Sequence, residues 1–433
     1  MIREFRPVGC EGFDDRLVEL VRARNRHSAA IERLPPGRGW LLVEFGADEQ
    51  AQAQDQAEAL IAALREQPRP ANAAIIDNPR IAHGLWELRE SGLSATAKPQ
   101  DAPDTWPGWE DSAVPTDRVG DYLRELGELL ERGGHNASLY GHFAQGCIHT
   151  RISFDLSTAS GIDHYRAFTE EAAELVVRHG GSLSGEHGDG QARGDLLGKM
   201  YSPEIVGAMG EFKRIWDPEQ RMNPGRVVDA LPRTEALKLA SYHPSRPQTT
   251  FSFVDDHGDF VRAANRCVGV GECRRDSGGL MCPSYMATKD ERHSTRGRAR
   301  LLFEMLMGDV VEGGWQSEDV FEALDLCLAC KGCKLECPVE VDIATYKAEF
   351  MAHYYERQWR PRQAYSLGWI HRWARIGAMM PRLGNLATQT PGLAWFAKWV
   401  AGASQRRGRP TAGSPGAWSC GPIPSTTRSS RRS

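Results

Sequence analysis

Cys327, Cys330, Cys333 and Cys337 fall within eleven residues as C-x2-C-x2-C-x3-C, and Pro338 follows. In that spacing three thiolates cap three corners of a 4Fe–4S cubane and the fourth serves another cluster. Thiolates are soft ligands and select iron–sulfur or zinc over hard cations. Structural zinc sites pair two ligands with two distant ones rather than packing four into one short run, so the spacing points to iron. Upstream the pattern nearly recurs. Cys267 and Cys273 are six apart with Val270 between them, and Cys282 precedes Pro283. Exchange of the fourth ligand assigns Cys282 to the group of Cys327, Cys330 and Cys333, and Cys337 to Cys267 and Cys273. The second group then has three protein thiolates, which implies a 3Fe–4S cluster or a cubane with one non-cysteine ligand. The alternative is a single cluster, with Cys267 and Cys273 as spare thiols. CVGVGEC (267–273) is no dinucleotide fingerprint, because no strand precedes it and the third glycine is missing.

A second set of residues could bind a harder ion. GHFAQGCIH places His142 and His149 seven apart across a glycine-containing turn, and SGEHGDG offers Glu186, His187 and Asp189. Two histidines and a glutamate form a divalent-metal set with an open position. Such a metal grips a hydroxyl and lowers its pKa, and a neighbouring histidine can take the proton. The plainer reading is of histidines satisfied as ordinary polar residues, with Asp189 fixing its loop.

The elements that must position these groups follow from periodicity. Residues 1–35 read as a helical lead-in. GWLLVEFGA (39–47) predicts a strand, DEQAQAQDQAEALIAALREQ (48–67) a helix and NAAIIDN (72–78) a second strand, the start of an α+β layer. Residues 93–116 read as loop, and 118–134 as an amphipathic helix closed by glycines. In 147–154, Ile148, Ile152 and Phe154 alternate with Cys147, His149, Arg151 and Ser153. Residues 164–181 form a helix with Asp163 as its cap and Tyr165, Phe168, Ala172, Leu175 and Val176 as its apolar stripe.

Composition sets the class. The 433 residues carry a formal charge of -4 with acids and bases nearly balanced, which gives no electrostatic case for nucleic acid. Seven of ten cysteines lie between Cys267 and Cys337, a cluster-binding pattern in a reducing compartment rather than a disulfide framework. Cys10, Cys147 and Cys420 read as incidental. The N-terminal run MIREFRPVGCEGFDD has no apolar core of a signal segment, and a cytoplasmic location is expected. The aromatic stretch 365–400 reads as packed helices, or as a peripheral contact with the inner face of a membrane or with a quinone.

Taken in order, WELRESG (86–92), WEDSAVP (109–115), YGHFAQGCIHTRI (140–152), GGSLSGEHGDG (180–190), MNPGRVV (222–228), CPSYMATKDERHSTRGRARLL (282–302) and CLACKGCKLECP (327–338) make the chain similar to the C-terminal half of FAD-linked oxidases of the vanillyl-alcohol-oxidase type. It resembles the bacterial fusions in that group, which join D-lactate, D-2-hydroxyglutarate or glycolate dehydrogenases to an iron–sulfur unit. The resemblance implies an α+β fold: a ferredoxin-like antiparallel-sheet cap domain (1–232), a linker (233–250) and an all-α ferredoxin-type 4Fe–4S domain (251–360). A helical extension (361–403) and a disordered tail (404–433) follow. It implies His142, His149 and Glu186 as ligands of a divalent metal, zinc being a candidate, and His187 as the base. Arg89 becomes the clamp for the substrate carboxylate, and Asn223, Glu186 and His187 the groups near the flavin. The implied partners are a small 2-hydroxy acid, an electron acceptor (quinone or redox protein) and a separate FAD-binding domain or chain, since the family's flavin domain would precede residue 1. Two rivals stand beside this expectation: an electron-transfer module with a non-catalytic cap domain, and a metal-dependent hydrolase, which lacks an H-E-x-x-H run.

Overall fold

The computed structural model describes residues 1–24, 26–99, 102–235, 237–238 and 247–403. Two compact units emerge, Met1–His353 and one beginning at Tyr354. Cys420, the tail from 404 and much of the expected linker lie outside the described residues.

The first unit opens with β1 (Gly9–Asp14), α1 (Asp15–Ala23), the single turn α2 (Ser28–Ile31), β2 (Gly39–Glu44), α3 (Gln50–Arg65), α4 (Pro79–Glu90) and α5 (Gly92–Ala97). Then come β3 (Ser112–Ala113), α6 (Val119–Arg132), β4 (Ala137–His142), β5 (Cys147–Ile152), α7 (Ala159–Arg178) and α8 (Pro203–Trp216). The strands make one antiparallel sheet in the order β2-β1-β4-β5-β3. All six residues of β5 are buried, as expected of a strand covered on both faces. Against one face Ile148 and Ile152 meet Tyr122 and Leu126 of α6 and Phe168 and Ala172 of α7. Phe13 and Tyr140 pack with Leu17, Val21 and Leu88 in a second cluster. Each such aliphatic side chain contributes about 1.5–3 kcal/mol by leaving water.

Four sequence expectations need correction. Residues 1–35 are not a helical lead-in, because β1 lies there and pairs with both β2 and β4. Residues 72–78 form no strand. Most of that run is exposed, so Ile75 and Ile76 have no sheet to bury against, and Asn78 serves as the cap of α4 instead. The stretch 93–116 contains α5 and β3. The cap of α7 is Thr158, whose side chain accepts from Gly161 N, while Asp163 lies inside the helix and pairs with Arg166.

Beyond residue 247 the first unit is helical: α9 (Phe260–Ala264), α10 (Pro283–Thr288), α11 (Thr295–Met307), α12 (Glu318–Asp325), α13 (Gly332–Glu336) and α14 (Ile343–Tyr354). The second unit holds α15 (Arg362–Ser366), α16 (Ile370–Met379), α17 (Pro381–Gln389) and α18 (Pro391–Val400). Among the described residues no helix is long and apolar enough to cross a membrane.

Candidate active site and cluster-binding cysteines

The β4–β5 hairpin joins the two histidines. Tyr140 stands opposite His149 and His142 opposite Cys147, so all four side chains share one face of the sheet. The imidazoles meet at 5.3 Å, nearly perpendicular at 85°. The turn closes on Gly146 at φ 75°, where a Cβ would run into the Val114 carbonyl, so glycine is required.

Glu186, from the glycine loop after α7, completes the group. Its Oε1 lies 3.2 Å from His142 Nε2 and 3.2 Å from His149 Nε2. One carboxylate oxygen facing two imidazole nitrogens is a donor set that fits a divalent metal. Burial, then the neighbouring His187 and His142, hold His149 down at about 4, so at neutral pH it is the uncharged imidazole a metal needs. His142 Nδ1 donates to Glu11 Oε1 at 2.7 Å, because a carboxylate accepts only, and this bond orients the ring with Nε2 turned to Glu186.

His187 stacks on His149 at 5.1 Å and 10°. Its Nδ1 is 3.5 Å from Glu110 Oε1 and its Nε2 3.5 Å from Glu186 Oε1. Glu110 is raised by burial, against the pull of Arg151 and His187. Arg89, near the end of α4, also reaches the group, with Nη2 2.6 Å from Glu11 Oε2 and 3.3 Å from His142 Nδ1. Its charge is therefore opposed by Glu11.

Sequence reasoning missed Glu11, Glu110 and Asp111. Asp111 is fully buried and anchors the glycine loop. It accepts from His187 N at 2.8 Å, from Glu186 N at 3.1 Å, from Ser184 Oγ and from the Cys147 thiol at 3.1 Å. Burial raises its carboxyl, but those four donors outweigh it and leave the group at about 2. Cys147, read as incidental, thus lies at the site, its thiol pushed up by burial and by Asp111. The signal for Glu110 and Asp111 was the acid pair in WEDSAVP beside a short strand. Glu11 had none, since only the β1–β4 register brings it opposite His142.

Asn223 lies on an exposed loop at φ 48°. Asp217 pins the loop from below by accepting from Arg221 N and Met222 N at 2.8 and 3.0 Å. No hydrogen bond or ion pair links Asn223 to the histidine–carboxylate group among the described residues. The loop touches the glycine loop through Val227 N to Gly190 O, 3.2 Å.

None of the nine described cysteines is in a disulfide. Cys267, Cys273 and Cys337 line one cavity with Val270, Met281 and Arg296. Backbone N–H groups point at several of the sulfurs: Thr295 N to Cys282 at 2.9 Å, Arg296 N to Cys273 at 3.4 Å, Ile343 and Ala344 to Cys333, and Val339, Glu340 and Val341 to Cys337. Such donors stabilise thiolate and cluster sulfur, so the residues present fit iron–sulfur clusters. Cys282 lies against Cys273. Its thiol bonds Cys273, which drops to about 6 chiefly for that reason, and it acts on Arg298 together with Cys327 and Cys333. Cys327 is half-buried, Cys330 exposed and Cys333 buried.

Comparison with known proteins matches two segments of the chain. Residues 1–227 match the family model "FAD linked oxidases, C-terminal domain", and residues 266–342 match "4Fe-4S dicluster domain". The D-2-hydroxyglutarate dehydrogenase of Escherichia coli is 25% identical over 90% of this chain and 42% of the relative. That of Haemophilus influenzae is 27% identical over 75% of the chain and 35% of the relative. A D-lactate dehydrogenase of Archaeoglobus fulgidus is 33% identical over 28% of the chain and 26% of its own length. The chain therefore spans well under half the length of these relatives.

Proposed function

The chain belongs to the FAD linked oxidases, whose C-terminal domain it carries, and on that premise we propose that residues 1–232 form the substrate half of a D-2-hydroxy-acid dehydrogenase and residues 251–360 its electron exit. The observation that carries this reading is the convergence of His142 Nε2 and His149 Nε2 on one oxygen of Glu186, both at 3.2 Å. His142, His149 and Glu186 would hold a divalent cation, which when bound supplies a Lewis acid for the substrate hydroxyl. FAD, when bound, supplies the acceptor of the hydride. Cys267, Cys273 and Cys337, and separately Cys282, Cys327, Cys330 and Cys333, would hold iron–sulfur clusters, which when bound supply one-electron carriers.

The chain's own residues do the rest. His187 accepts the hydroxyl proton, with Glu110 behind its Nδ1 to balance the imidazolium. Arg89 presents its fork to the substrate carboxylate, which competes with Glu11 for it. Asn223 meets the flavin from its exposed loop. The acceptor is a quinone or a redox protein. Co-expressed with an FAD-binding domain of this family, the chain should reduce a one-electron dye in the presence of D-2-hydroxyglutarate, D-lactate or glycolate. Failure with every 2-hydroxy acid, in protein shown to hold flavin and iron, would leave an electron-transfer module with a non-catalytic cap.

A peripheral contact with an anionic membrane face is part of the proposal. Residues 357–403 contain seven Lys or Arg and no Asp or Glu, and Trp369, Trp373, Trp395 and Trp399 are exposed there, the make-up of interfacial helices. Sedimentation with phosphatidylglycerol vesicles but not with neutral ones is the expected result.

A further inference from the structure

Arg298 is a buried cation that lacks a carboxylate. It lies on α11, 2% exposed. Nε donates to the Ala323 carbonyl at 2.7 Å and Nη2 to Ser284 Oγ at 2.8 Å. Among the described residues no Asp or Glu comes within ion-pair distance. Arg296 and Arg300 on the same helix are each paired with a glutamate, Glu291 and Glu304. A guanidinium stripped of water is strongly unfavourable unless an anion faces it. The acidic groups that do act on Arg298 are the thiols of Cys327, Cys282 and Cys333.

Its two hydrogen bonds tie it to the chain segments that carry those thiols. Ser284 is two residues after Cys282, and Ala323 sits on α12 four residues before Cys327. Arg298 therefore ties together the two chain segments that, on the assignment by ligand exchange, would supply the four ligands of one cluster. A cubane with four thiolates carries excess negative charge, and more of it when reduced. A fixed cation beside it favours the reduced state and raises the potential.

We propose that Arg298 is the built-in counter-ion of the cluster held by Cys282, Cys327, Cys330 and Cys333, and that it sets that cluster's reduction potential above the value the thiolates alone would give. The proposal rests on the ligand assignment given above. Arg298 is a positioning residue that acts on the cluster through its charge.

The test uses the full chain, purified without oxygen and reconstituted with iron and sulfide, with each cluster's potential followed by electron paramagnetic resonance during stepwise reduction. Arg298→Gln should move one couple to lower potential and leave the other in place, while Arg298→Lys should keep most of the original value. If Arg298→Gln cannot hold the cluster, retention of iron by Arg298→Lys but not by Arg298→Gln also supports the role of charge. Unmoved potentials at full iron content, equal shifts in both variants, or loss of iron from both would overturn the proposal. Cys282→Ser and Cys330→Ser should erase the same signal. If they erase different signals, the ligand assignment falls first and the proposal falls with it.

Discussion

One carboxylate serves two partners at Glu11: it fixes the tautomer of His142 through Oε1 and opposes Arg89 through Oε2. Glu11→Gln keeps the shape and removes the charge. We expect zinc affinity, measured by calorimetry, to fall about 10–100-fold, as for other carboxylates behind a ligating histidine, with the circular dichroism unchanged. Asp111→Ala should act on the fold instead. It removes the acceptor of the Glu186 and His187 N–H groups and of the Ser184 hydroxyl, each such bond being worth about 1 kcal/mol, and a urea midpoint would register the loss. His142, His149, Glu186 and His187 were legible because they sit in two short runs rich in glycine. Glu11, Glu110 and Asp111 were not, because they enter through strand register and backbone hydrogen bonds, which spacing along the chain does not encode.

At the scale of elements, periodicity found β2, α3, α6, β5 and the buried stripe of α7, where apolar repeats are long. It missed β1, whose sequence GCEGFD has two glycines and one large apolar residue. Gly12 lies against Phe143, where a Cβ would collide with the ring, so the residues that weaken the strand signal are those the packing demands. The strand ends in Asp14, which caps α1 by accepting from Leu17 N at 2.9 Å and also accepts from Leu139 N at 2.8 Å. Asp14→Ala should cost about 1 kcal/mol or more in cap energy. Burial holds the Asp14 carboxyl up at about 6, against the backbone donors. The folded state therefore binds more protons than the unfolded chain between pH of about 4 and 6, and stability falls as pH rises through that window. Asp14→Asn removes that slope and keeps one acceptor. Between pH 4 and 7 the urea midpoint of the unaltered protein should drop relative to that of Asp14→Asn.

Across the first unit, one side chain at the end of α1 reaches both the sheet-bearing residues and the cysteine-bearing ones. Arg24 Nη1 donates to Ser94 O at 2.9 Å and to Pro338 O at 2.8 Å, and Nη2 to Lys98 O at 3.1 Å. Lys98 in turn meets Asp104, which Arg262 of α9 joins at 2.8 Å. No sequence pattern announces a bond between residues 314 apart. Arg24→Ala should cost about 2–3 kcal/mol, the worth of a few charge-assisted bonds, and should split one calorimetric transition into two. Pro338 directly follows Cys337, so this joint grips the chain beside a thiolate. Whatever stiffens that thiolate is then felt in the strands, and a ligand that binds only the folded form raises the melting temperature of everything coupled to it. An iron chelator, which never touches the sheet, should bring forward the thermal exposure of Trp109, a buried indole far from sulfur in sequence, and should lose that power once Arg24 is gone.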